Sequence, residues 1–154
     1  MKSDDLLTEA AIARLRRTLE ELQTVDRPRA VEDLSRAREM GDLSENAAYS
    51  EAKGRLMRID GRVFSIKERL KNAIVIKKGA DPEGRVRVGA TVVVTVNGNR
   101  REYEILGSQE TNPSKGRISH QSPVGKALMG KRAGESVAVK AQDREITYKI
   151  EEVR

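Results

Sequence analysis

The stretch YSEAKGRLMRIDGRVFSIKERLKNA, running from Tyr49 to Ala73, decides the fold. Tyr49, Ala52, Leu56, Ile59, Val63, Ile66, Leu70 and Ala73 follow alternating steps of three and four, with mostly polar residues between them. That spacing lays one narrow apolar stripe along an α-helix. At ~1.5 Å per residue such a helix spans roughly 40 Å. So narrow a stripe calls for one partner helix rather than an enclosing core.

The preceding segment supplies that partner. Ile12, Leu15, Leu19 and Leu22 keep the same steps, and Ala30, Leu34 and Ala37 resume them. From Leu22 to Ala30 the spacing is eight residues, where seven would hold phase. Pro28 lies in the gap and cannot donate a backbone hydrogen bond, so a kink or short break is expected near Asp26–Pro28. Gly41 suits a helix stop, and Asp42 or Ser44 suits the cap of the next helix. So short a turn makes the two helices antiparallel. The prediction is a hairpin over about residues 8–76 with Asp42 and Glu45 at its apex.

Beyond it the composition changes. Residues 77–84 combine lysine, glycine, aspartate and proline and read as a linker. Thr91–Val96 is β-branched and precedes Asn97-Gly98, a strong hairpin turn signal, after which Arg101–Leu106 pairs back. Ser136–Lys140 and the alternating Arg144–Val153 read as two more strands. Ser122-Pro123 opens a short helix ending near Gly130. The expected class is α+β, with an antiparallel coiled coil over residues 1–78 and a mostly antiparallel sheet domain with one short helix over 79–154.

Bulk properties limit the function. Only Tyr49, Phe64, Tyr103 and Tyr148 are aromatic, a thin supply for a large core, and 35% of the 154 residues are charged. There is no cysteine, so thiolate metal sites and disulfides are excluded. No apolar run approaches ~18 residues, and a soluble, cytoplasmic protein is expected. The net charge of +6 favours contact with nucleic acid, an acidic protein surface or anionic lipid. Residues 53–78 alone carry a net +7, whereas residues 26–45 hold six acids against four arginines. An acidic tip on a basic stem suits an arm that enters a phosphate-lined place.

Asp42-Leu43-Ser44-Glu45 has two readings. It fits a capping box, with Glu45 reaching back to the cap. It also places two carboxylates, three residues apart, at the far end of an arm where they bury nothing. Mg²⁺ prefers hard oxygen ligands and retains waters, so one or two carboxylates can contribute to a site that other groups complete. The lone His120 belongs to no nucleophile or metal constellation and reads as a loop residue.

Two motifs carry a family resemblance. Ala37-Arg38-Glu39-Met40-Gly41-Asp42-Leu43-Ser44-Glu45-Asn46-Ala47-Ala48-Tyr49, followed by Glu51-Ala52-Lys53, resembles the tip of the GreA-type bacterial transcript-cleavage factors. The run from Ile118 to Lys131 resembles the loop and helix of that family's C-terminal domain. The resemblance implies an FKBP-like second domain that docks on the rim of RNA polymerase's secondary channel while the coiled coil enters it. It implies that Asp42 and Glu45 complete the polymerase's catalytic site, holding Mg²⁺ jointly with the enzyme when a backtracked transcript is cleaved. It further implies that Arg38 and Lys53 contact the extruded RNA 3′ end and that Ser122, Pro123, Val124 and Gly125 belong to the docking surface. The chain is then an accessory factor rather than an enzyme, with no cofactor of its own, and is expected to be a monomer.

Three other functions compete. A channel-entering regulator that modulates polymerase without cleavage would carry an altered tip. A prolyl isomerase would need an aromatic-lined pocket, and the second half offers only Tyr103 and Tyr148. A free nucleic-acid binder would bind RNA without polymerase and with strong salt dependence.

Overall fold

The apolar stripes do pair, and a computed structural model describes the result for residues 5–42 and 45–154. Contacts divide the chain into two compact units, Ile12–Asn72 and a second joining Met1–Ala11 to Ala73–Arg154. The expected boundary between residues 78 and 79 is thus displaced, because short segments on both sides of the hairpin in sequence belong to the second unit. Leu6–Leu7 (β1) pairs in parallel with Ile74–Val75 (β2), a pairing that two-residue strands do not announce by periodicity.

In the first unit, helix α1 (Glu9–Glu21) passes through a π-helical turn, Leu22–Asp26, into α2 (Arg27–Glu39), and α3 (Ala47–Asn72) returns. Leu22, Ala30, Ala37, Ala52 and Ile66 are buried, and the other seam positions from Ile12 to Leu70 are half-buried. The expected kink or break is instead a continuous helix with a wide turn. Arg27 N–H donates to the Leu22 carbonyl, five residues back. A π turn holds one more residue than an α turn, so the spacing of eight is absorbed without loss of seam phase. Pro28 follows directly on the wide turn as the second residue of α2, so the residue that cannot donate a backbone hydrogen bond sits where the regular ladder is already interrupted. Arg27 pairs with Asp60 at 2.7 Å and Arg55 with Asp33 at 3.2 Å across the two helices. These pairs are exposed and add little stability, but they favour the observed antiparallel register.

In the second unit Thr8 starts α1. Its hydroxyl accepts from Ala11 N–H at 3.1 Å, and its own N–H donates to Glu110 at 2.8 Å. A five-stranded sheet follows, in the order β5-β4-β3-β7-β6. Its strands are β3 (Thr91–Val96), β4 (Asn99–Leu106), β5 (Arg117–Ser119), β6 (Ser136–Ala141) and β7 (Arg144–Val153). The central β3 has a continuous valine run because both of its faces are covered: Val92, Val93 and Val94 are all buried. Asn97 and Gly98 both have positive φ, as the tight turn between β3 and β4 demands. All neighbours are antiparallel except β4 and β5, which run parallel. Helix α4 (Pro123–Leu128) brings the fully buried Leu128 into a core with Val92, Val94, Ile105 and Ile150. Leu6, Ile76 and Leu106 form a second, smaller cluster.

Candidate functional site at the hairpin apex

The apex is built from its two helix ends. Helix α2 stops as Met40 N–H turns back to the Ala37 carbonyl at 3.3 Å and Gly41 N–H to that of Arg38 at 3.5 Å. Gly41 takes φ +108°, a conformation that side chains disfavour. On the other side the cap of α3 is Asn46. Its carbonyl accepts the first helical bond from Ser50 N–H at 3.1 Å, and its Oδ1 accepts from Tyr49 N–H at 3.1 Å. Its Nδ2 also donates to the Ala37 carbonyl at 2.8 Å. One side-chain amide therefore satisfies the end of α2 and the start of α3 together.

This corrects the expected capping. Asp42 is not the cap of α3, and Glu45 precedes the cap instead of reaching back from inside the helix. Ser44, the other expected cap, and Leu43 lie outside the described residues. Asp42 and Glu45 stand exposed in the connecting turn, not along a helix start. The sequence contained the signal for Asn46, a preferred cap residue before Ala47, but Asp42 and Ser44 offered the same chemistry nearby. Asn46→Ala is expected to lower stability by about 1 kcal/mol through the lost cap. Asn46→Ser, which restores an acceptor for α3 on a shorter side chain without the separate amide donor that bridges to α2, should recover part of that loss in circular dichroism melts.

The flanking residues take different surroundings. The Arg38 guanidinium lies over the Tyr49 ring, 6.0 Å from its centroid, a cation–π distance. Tyr49 is half-buried in the seam with that face covered, as packing rather than base stacking requires. Lys53 is exposed one turn further along α3. Among the described residues no three His, Asp or Glu side chains gather as a metal site. The apex carboxylates fit Mg²⁺ as hard oxygen donors, but two of them supply only part of its octahedral set.

The expected docking residues come together in the second unit. Ser122 caps α4: its Oγ accepts from Gly125 N–H at 3.1 Å and donates to the Ser119 carbonyl at 2.6 Å. Gly125 is buried against β5, Val124 is half-buried against the core, and Pro123 is exposed. Only part of this motif faces solvent, and the rest holds the helix down. The neighbouring His120 has a buried Nδ1 without a hydrogen-bond partner among the described residues. Burial pushes its pKa below the ordinary 6.5. The unfolded chain then binds more protons as pH falls below about 6.5. Stability is complete above that pH and declines between it and the lower folded-state value. His120→Gln should flatten this decline in melts recorded across the window, with little change at alkaline pH.

The chain thus combines a two-helix hairpin that has an exposed acidic turn with a mostly antiparallel sheet domain. Known proteins are similar to this chain along its whole length. Residues 5–75 match the family described as transcription elongation factor, N-terminal, and residues 81–154 match transcription elongation factor, GreA/GreB, C-term. The chain belongs to the GreA/GreB family of transcription elongation factors. Transcription elongation factor GreA of Caldanaerobacter subterraneus subsp. tengcongensis is 41% identical over 157 residues, covering 100% of this chain and 99% of the relative. That of Thermomicrobium roseum is 40% identical over 149 residues, covering 96% of each. Among solved structures, GreA factor homolog 1 of Thermus thermophilus is 25% identical with a TM-score of 0.42, covering 97% of each chain.

Proposed function

We propose that this chain enters the secondary channel of bacterial RNA polymerase tip first and stimulates the polymerase's own cleavage of backtracked transcripts. The observation that carries the reading is the exposure of Asp42 and Glu45 in a turn whose two helix ends are tied by Asn46. Held there, both residues are exposed to solvent. Asp42 and Glu45 would help to hold a magnesium ion shared with the polymerase, which would supply charge neutralisation of the reacting phosphate. The chain's own residues orient and reach. The carboxylate of Asp42 or Glu45 accepts a hydrogen bond from the attacking water and fixes its direction, Arg38 and Lys53 contact RNA phosphates beside the tip, and the surface around Pro123 contacts the channel rim.

The test uses stalled, backtracked elongation complexes carrying end-labelled RNA and Mg²⁺. Adding the protein should speed release of short 3′ fragments and restore elongation. Binding without faster cleavage would instead identify a regulator that occupies the channel, and would overturn the cleavage reading. Equal RNA binding in the absence of polymerase would favour the free nucleic-acid binder.

A further inference from the structure

Beside the π turn a groove of about 280 Å³ opens along the arm. Leu22 and Ile59 line it together with Asp26 and four arginines, Arg29, Arg55, Arg58 and Arg62. Arg55, Arg58 and Arg62 follow helical steps of three and four on α3, and Arg29 faces them from α2. Arg55 is neutralised by Asp33 at 3.2 Å, just as the nearby Arg27 is by Asp60. Among the described residues Arg29, Arg58 and Arg62 have no carboxylate partner. Like charges four residues apart on a helix, such as Arg58 and Arg62, oppose helix stability. The cluster therefore costs the arm something and is relieved by an anion.

We propose that this groove binds a small oligophosphate, either free pyrophosphate or the phosphate chain of a nucleoside triphosphate. Guanidinium forks match phosphate oxygens in pairs, which a lysine cannot do. Three forks without a carboxylate partner among the described residues line one short groove, so the charge they match there is compact. The lining has no aromatic ring to stack a base, and the ring of Tyr49 is already covered by Arg38. Recognition therefore falls on the phosphates and not on the base. A single strand of RNA would instead use an extended basic track with stacking platforms. The site is separate from the tip acids, and its existence does not depend on their role.

Calorimetric titration of the full chain at low salt tests this, with sodium pyrophosphate, ATP, UTP and a short single-stranded RNA as probes. One-to-one pyrophosphate binding is expected, weakened at least tenfold by Arg58→Gln with Arg62→Gln and unchanged by Lys67→Gln with Arg69→Gln, which removes the same charge elsewhere on α3. The unliganded Arg58→Gln, Arg62→Gln protein should melt no lower than the parent. If ATP and UTP compete equally, the phosphate chain is the ligand in either source; if neither competes, free pyrophosphate is. If the double variant does not fold, Arg29→Gln on the opposite helix gives the same reading. Absence of saturable pyrophosphate binding, equal loss in both double variants, or binding of RNA alone would overturn the proposal.

Discussion

Replacing Asp42 with asparagine or Glu45 with glutamine should reduce stimulated transcript cleavage by on the order of tenfold to hundredfold, the usual cost of disturbing a metal-site ligand shell, while leaving polymerase binding in place. Each change keeps the size of the side chain, removes its charge and turns one acceptor oxygen into a donor. Both residues are exposed in the turn between α2 and α3, so neither loses packing. The caps on either side use Asn46 and backbone groups. Measuring cleavage at saturating protein separates the two effects. Slower cleavage at saturation with unchanged half-saturation assigns the acids to the chemical step, whereas a shifted half-saturation alone would make them binding residues. Full activity in both variants would remove the carboxylates from the mechanism.

The second large effect is expected at Gly125. A β-carbon at this position would lie 2.0 Å from the Ser119 carbonyl oxygen and 3.0 Å from the His120 Cα. Both obstacles are backbone, so no side-chain rotation relieves them. The Ser119 carbonyl is also fixed by the N–H and hydroxyl of Ser122. In Gly125→Ala helix α4 must lift from β5, which draws the fully buried Leu128 out of the core. The cost should be about 1–3 kcal/mol, typical of overpacking, and the midpoint of thermal unfolding should fall by on the order of 10 °C. Pro123→Ala, at an exposed position two residues away, is the contrast. It should melt like the parent, so any loss of polymerase binding would report on the docking surface and not on folding. A Gly125→Ala protein that melts like the parent would show that α4 is not held by this close approach.

Much of this architecture is legible in the sequence because strong periodicities decide it. The seam from Tyr49 to Ala73, the valine-rich β3 and the Asn97-Gly98 turn each state a backbone conformation through residues that fit little else. Ser122-Pro123 likewise states the start of α4. What was less legible depended on partners distant in the chain. Nothing in Leu6–Leu7 indicates that Ile74–Val75 will pair with it, and three-residue β5 joins the sheet through a parallel contact that has no turn signature. At the apex the sequence contained too many adequate caps. Asp42, Ser44 and Asn46 all have the required oxygen, and the Asn46 amide also donates to the Ala37 carbonyl, which an ionised carboxylate has no hydrogen to do.

The wide turn at Leu22–Asp26 has a bearing on how this arm can change over generations. Its surplus residue and Pro28 are matched. Deleting the extra residue would leave the proline inside a regular helix, where its ring collides with the preceding turn at a penalty of ~3 kcal/mol. Exchanging the proline alone would leave the surplus still to be housed. Lineages that shorten this segment should lose both features in concert, and those that keep one should keep the other.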